Sequence, residues 1–125
     1  VLEHIKEDGV VVKEIYRVLE TNGRFVICVP NDTILSYLNP IRYLQHERHY
    51  TIKRITGLLK KNGFKIEKIF AGGGIFELSN LYAHLIIKYT SGKIINPKFF
   101  DLLRDIEYKN HNPNGNEIVI VVVKK

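Results

Sequence analysis

Three short groups of side chains carry most of the polar chemistry open to this chain: Glu3-His4, Asn31-Asp32, and the cluster of His46, Arg48, His49 and Tyr50. Imidazole titrates near neutrality, so His4 and His49 are the candidates to take a proton from a nucleophile. Arg48 can pair with an anionic ligand. His49 or Tyr50 can polarise a bound group, and His46, Asn31 and Asp32 are candidates to line the acceptor pocket. Each group also has a plainer reading. Glu3-His4 can cap a turn, Asn31-Asp32 can close an Asx-type turn, and His49-Tyr50-Thr51 can simply seat the helix that follows. His84 and His111 stand alone and receive no role. Two adjacent ligands do not make a metal centre, so no metal is expected.

The elements that must position these groups read as helix, glycine and strand in repeated order. Val1–Ile5 reads as the end of a strand. Val11, Ile15, Val18 and Leu19 fall on one helical face, with Asp8 placed to cap its start and Asn22-Gly23 to end it. Phe25–Val29 follows as an unbroken apolar strand. The pattern then recurs. Thr51 is an N-cap candidate, Ile52, Ile55, Leu58 and Leu59 form a stripe, Asn62-Gly63 stops the helix, and Phe64–Phe70 reads as a strand. Helical period before each Asn-Gly favours a left-handed helix stop over a hairpin. Two such units in series predict an α/β fold.

The strands differ in what they ask of their neighbours. Phe25–Val29 and Ile118–Val123 are continuously apolar, as expected of strands inside a sheet and covered on both faces. Phe64–Phe70 carries Lys65, Glu67 and Lys68, which suits an edge. The last strand is therefore placed between the other two. Between them lies a long excursion. Ala71–Gly74 is expected as a flexible loop, helices are predicted near 78–89 and 97–108, and 110–116 is turn-rich. Residues 32–50 follow the carboxyl end of a central strand, where ligands bind in open α/β sheets. This makes them the best site-bearing loop. Tyr37, Tyr43 and Phe76 are read as core, or else as an apolar lid.

Composition narrows the function classes. The chain has 125 residues, no methionine, one cysteine and a net charge of +6. Its lysines are scattered, and no aromatic-basic RNA-binding motif is present, so nucleic acid is a weak expectation. No apolar run approaches membrane-spanning length, and no secretory signal is visible, so a cytoplasmic protein is expected. Cys28 lies in an apolar run and is expected to be a buried, unreactive thiol. The chain reads as entered partway through a domain, as one partial domain over 1–125 with a helical insertion at about 72–116. A strand at Val1–Ile5 or Phe25–Val29 would then have an uncovered edge able to pair with a second copy.

The ordered blocks Leu2-Glu3-His4, Arg17-Val18-Leu19, Gly23 to Pro30, Glu47 to Thr51 and Asn62-Gly63-Phe64 resemble the second half of class I S-adenosylmethionine-dependent methyltransferases. The likeness covers residues 1 to about 71, with Ile118–Lys125 as the family's last strand. It implies a partial Rossmann-like three-layer sandwich with an antiparallel final strand inserted between the two preceding ones. It implies S-adenosylmethionine as cofactor, with Leu2, Glu3 and His4 beside it and most of its grip upstream. The glycine-rich cofactor loop is absent, so this segment alone is expected to bind the cofactor weakly and to be inactive. The implied activity is methyl transfer to an unidentified small-molecule or glycan-like acceptor. Alternatives are a non-catalytic module built on the same fold and a nucleic-acid methyltransferase.

Overall fold

The computed structural model describes residues 2–44, 47–92 and 98–125. Three strands form one sheet: β1 (Arg24–Pro30), β2 (Phe64–Gly72) and β3 (Glu117–Lys124). Their order is β1-β3-β2, and β3 runs antiparallel to both neighbours. The α/β class and the inserted final strand are thus as expected. β3 owes its central place to Ile118, Ile120 and Val122, each 0% exposed. β2 takes an edge, and the extra residue Glu67 makes a bulge between Ile66 and Lys68. The Glu67 carboxylate accepts two hydrogen bonds from Arg24, at 2.8 and 2.9 Å, tying the two outer strands together across β3.

The interior position expected for Phe25–Val29 is not what the structure has. Among the described residues β1 pairs only with β3 and forms the other rim. Its side chains alternate: Ile27 and Val29 are buried, whereas Val26 is 59% exposed and Cys28 is exposed. An unbroken apolar run does not itself report cover on both faces. Here one face packs and the other stays open.

Two helices cover the packed face. α1 (Asp8–Val18) and α3 (Ile52–Lys61) enclose a core of Val12, Tyr50, Ile55, Leu59, Phe64 and the inward residues of β1 and β3. Each of the large aliphatics among them contributes about 1.5–3 kcal/mol by leaving water. In α3 the predicted stripe is observed: Ile55 and Leu59 are fully buried, with Ile52 and Leu58 packed beside them. Thr51 caps the helix by accepting from the Arg54 N–H at 3.2 Å. Gly63 has φ +94°, the left-handed stop that glycine adopts without strain.

α1 departs from expectation. Val12 is its buried residue, Val18 is 62% exposed, and the helix ends at Val18 rather than at Asn22-Gly23. Asn22, not Gly23, is the left-handed residue, at φ 64°. Asp8 does not cap the helix, because its carboxylate is taken by Arg48 and Tyr50. Leu2–His4 is a 3-10 turn rather than the end of a strand, and Val1 lies outside the described residues.

Residues 32–50 hold two short pieces, a 3-10 turn at Ile34–Leu38 and α2 (Pro40–Leu44). The excursion forms two helices that pack on each other, α4 (Ile75–Ser91) and α5 (Lys98–Lys109). Pro97, expected in the first turn of the second helix, lies outside the described residues. Tyr37, Tyr43 and Phe76 are exposed, so they are not core. Among the described residues no helix is long and apolar enough to cross a membrane.

Candidate functional site

The strand directions decide where chemistry can occur. β1 and β2 both run against β3, so their carboxyl ends meet the amino end of β3 at one end of the sheet. Pro30 and Gly72 flank Glu117 there in register. A cleft of about 270 Å³ opens at this end. Its polar lining is Ser36, Asn39, Glu47, His49, Glu77, Asn116 and Glu117, with apolar walls from Pro30, from Leu35 of the 3-10 turn at Ile34–Leu38, and from Leu78 and Leu81 of α4.

His49 reaches the cleft through the backbone beside it. The segment entering α3 lies alongside the end of β1. The Tyr50 N–H donates to the Pro30 carbonyl at 2.9 Å, and the Asp32 N–H donates to the Tyr50 carbonyl at 2.9 Å. In extended backbone successive side chains point to opposite sides. Tyr50 therefore enters the core while His49 faces the cleft. His49 is 8% exposed, and its Nδ1 lies 3.0 Å from the Asn31 carbonyl oxygen. A carbonyl only accepts, so Nδ1 carries a hydrogen, and in the neutral ring the lone pair is then on Nε2. Nε2 is buried and has no hydrogen-bond partner. In that tautomer Nε2 is the ring atom able to accept a hydrogen bond or a proton.

Across the cleft Glu77 projects from the first turn of α4. It accepts from the Tyr108 hydroxyl at 2.7 Å and from the Asn116 amide at 2.8 Å. Burial pushes the Glu77 carboxyl above its ordinary value of 4.5, against those hydrogen bonds, which favour the ionised form. Burial and the neighbouring Glu77 push the Tyr108 phenol far above its usual range, so it stays a donor. The Asn116 amide also donates to the Gly74 carbonyl at 3.0 Å, while its Oδ1 is buried without a partner. Glu117 accepts from the Cys28 thiol at 3.7 Å. Cys28 is exposed as a residue, contrary to expectation. Desolvation of its sulfur and the Glu117 charge nevertheless push the thiol up to about 11, so it is no nucleophile at neutral pH.

Several expected site residues are engaged by other groups of the chain. The Arg48 guanidinium donates to Asp8 at 2.8 Å and to the Lys6 carbonyl at 3.1 Å, so it is not held ready for an anion. Tyr50 is 0% exposed and donates to Asp8 at 2.9 Å and to the Leu2 carbonyl at 3.3 Å. Leu2 is core. The Asn31 amide is spent on the Pro113 and Gly115 carbonyls, at 3.0 and 2.7 Å. Asp32 pairs with Arg42 at 3.0 Å and lines a separate shallow depression with Asn31 and Thr51. His4 lies outside the cleft, half-exposed, 3.7 Å from Glu3 and 3.9 Å from Glu47. His46 lies outside the described residues. Among the described residues no group of three His, Cys, Asp or Glu side chains is arranged to hold a metal ion.

Glu77, Asn116 and Glu117 were not expected at the site. One signal pointed to the last two. An antiparallel final strand beside Phe25–Val29 must begin where that strand ends, so residues just before Ile118 belong at the same end of the sheet.

Gly72–Gly74 is a buried strand-to-helix junction rather than a flexible loop, and it does open a helix, α4. It is still no cofactor cradle, because the space a side chain would take is already filled. A Cβ at Gly73, where φ is +80°, would strike Glu77 and Tyr108, and one at Gly74 would strike Glu107. The Glu107 carboxylate accepts from the N–H groups of Phe76 and Glu77, at 2.9 and 3.0 Å, and so occupies the helix terminus an anion would need.

No protein-family model matches the chain. A protein of Mycolicibacterium smegmatis described as a probable S-adenosylmethionine-dependent methyltransferase is 32% identical over 96 residues. The match takes in 70% of this chain but 36% of that protein, so the chain spans about a third of its relative's length. Among solved structures, phosphoethanolamine N-methyltransferase 2 of Haemonchus contortus with S-adenosyl-L-methionine aligns over 99% of this chain and 31% of its own, at TM-score 0.59 and 21% identity. The same enzyme with phosphomonomethylethanolamine and S-adenosylhomocysteine gives a TM-score of 0.58 at 21% identity, over 98% of this chain and 31% of its own.

Proposed function

From a chain that is related in sequence to an S-adenosylmethionine-dependent methyltransferase and carries the later part of that fold, we propose that it forms the acceptor side of such an enzyme. The methyl acceptor is a small molecule or a glycan-like compound that enters the cleft beyond β1. Residues 1–125 make up one partial domain, with 72–116 as a helical insertion that walls the cleft. S-adenosylmethionine, when bound, supplies an electrophilic methyl on a neutral leaving group, so the protein's work is alignment and, for a protonated nucleophile, removal of a proton.

One observation carries this reading. His49 has its hydrogen fixed on Nδ1 by the Asn31 carbonyl, and its unpartnered Nε2 belongs to a residue lining the cleft. His49 is the general base. His4, at the rim with Glu3, flanks the donor. The free edge of β1 is where self-association would begin.

Calorimetry with S-adenosylmethionine tests the reading. This chain and a form extended at its amino end by a βαβ unit with a glycine-rich loop are titrated in parallel. Tight binding by the extended form alone is expected. Equal binding by both would place the cofactor grip within these residues and overturn the account.

A further inference from the structure

We propose that the cleft selects a protonated amine, held as an ammonium by Glu47, Glu77 and Glu117 with its reacting nitrogen toward His49. This rests on the methyltransferase reading and narrows its acceptor.

The lining is one-sided. Three carboxylates face the cleft, and among the described residues no lysine or arginine lines it. Arg42 pairs with Asp32 and donates to the Ser36 hydroxyl in the cleft wall without itself lining the cleft, and Arg48 pairs with Asp8. Two further buried atoms on lining residues, His49 Nε2 and Asn116 Oδ1, are acceptors without a donor. The carboxylates have partners within the chain, Glu77 in Tyr108 and Asn116 and Glu117 in Cys28, but among the described residues no cation of the cleft lining balances their charge. Buried acceptors such as these two are seldom left without a donor unless something else completes them. An ammonium completes this set. It has only donors, it carries the opposite charge, and it suits a cleft too small for a macromolecule. A hydroxyl brings one donor and no charge. An anionic acceptor would meet three carboxylates.

An ammonium has no free pair and cannot attack a methyl group. His49 resolves this. Its Nε2 accepts one proton, the N–H bond breaks, and the electron pair stays on the nitrogen as the nucleophile. The carboxylates remain close enough to hold the alkylammonium that methylation would produce.

The test uses this chain, 15N-labelled, with ethanolamine hydrochloride and ethylene glycol as matched probes followed by amide chemical shifts. Ethanolamine is expected to move the signals of Glu47, His49 and Asn116 saturably, and to bind at least about tenfold more tightly than the diol. Glu117→Gln and Glu77→Gln are each expected to weaken ethanolamine about fivefold or more while spectral dispersion is kept. Equal binding of amine and diol, shifts confined to the depression near Thr51 and Asn114, or unchanged affinity in both variants would overturn the proposal. The cofactor titration above is independent of this one. Cofactor binding without amine binding removes only the amine. Amine binding without cofactor binding leaves an amine site and removes methyl transfer.

Discussion

His49 and Tyr50 are neighbours in the chain and opposites in use. Tyr50 belongs to a brace in which Asp8 receives Arg48 and Tyr50, and Tyr50 also reaches the Leu2 carbonyl. Each of these contacts stays within the chain and fastens the opening turn and α1 to the start of α3. His49 faces the other way, with one ring nitrogen engaged and the other left over. Both residues are polar and both are buried, so neither property separates architecture from function here. Unspent hydrogen-bonding capacity is what distinguishes His49 from Tyr50.

The sharpest test of that contrast is His49→Asn, which keeps a donor for the Asn31 carbonyl but has no basic nitrogen. In an extended, active form it should lose about two to four orders of magnitude in kcat while the thermal midpoint hardly moves. A variant that is mainly unstable would move His49 into the brace. Tyr50→Ala should do the reverse, costing about 3–5 kcal/mol of stability in urea unfolding through the cavity it leaves. Tyr50→Phe isolates the hydroxyl, and about 1–3 kcal/mol is expected from the unpaired groups.

Gly73→Ala probes the wall between the two regions. Its left-handed backbone and the contacts with Glu77 and Tyr108 predict a loss of about 1–3 kcal/mol, measurable by the same unfolding. The smallest effect concerns pH. The folded state raises the Glu77 carboxyl above 4.5, so it binds this proton more tightly than the unfolded chain does. That group's contribution to stability is greatest in acid and declines as pH rises from about 4.5 through the folded value. Glu77→Gln removes the decline. The stability of the variant relative to the parent should therefore rise over this range, and a difference that falls with pH would refute the assignment.

Much of the packed half was legible because its signals are local. The Thr51 cap, the left-handed Gly63 and the α3 stripe each depend on residues within a turn of one another. The central place of β3 followed from an apolar run covered on both sides. The same rule misplaced β1, whose Val26 and Cys28 stay open. The site was less legible. His49 stood out as a titratable residue in a plausible loop, but its neighbours Arg48 and Tyr50 could not be told apart from it. That distinction depends on Asp8, some forty residues away. Glu77 and Glu107 gave no local sign at all. Their roles arise only when α5 folds back on α4 and one carboxylate caps a helix about thirty residues upstream.

Cys28 is the only sulfur in the chain, and its thiol lies against a carboxylate of the cleft. A maleimide fluorophore would couple there slowly, at a rate that climbs with pH toward the thiol's value of about 11. The protein thus offers a single built-in attachment point for a reporter, within reach of whatever enters beside Glu117.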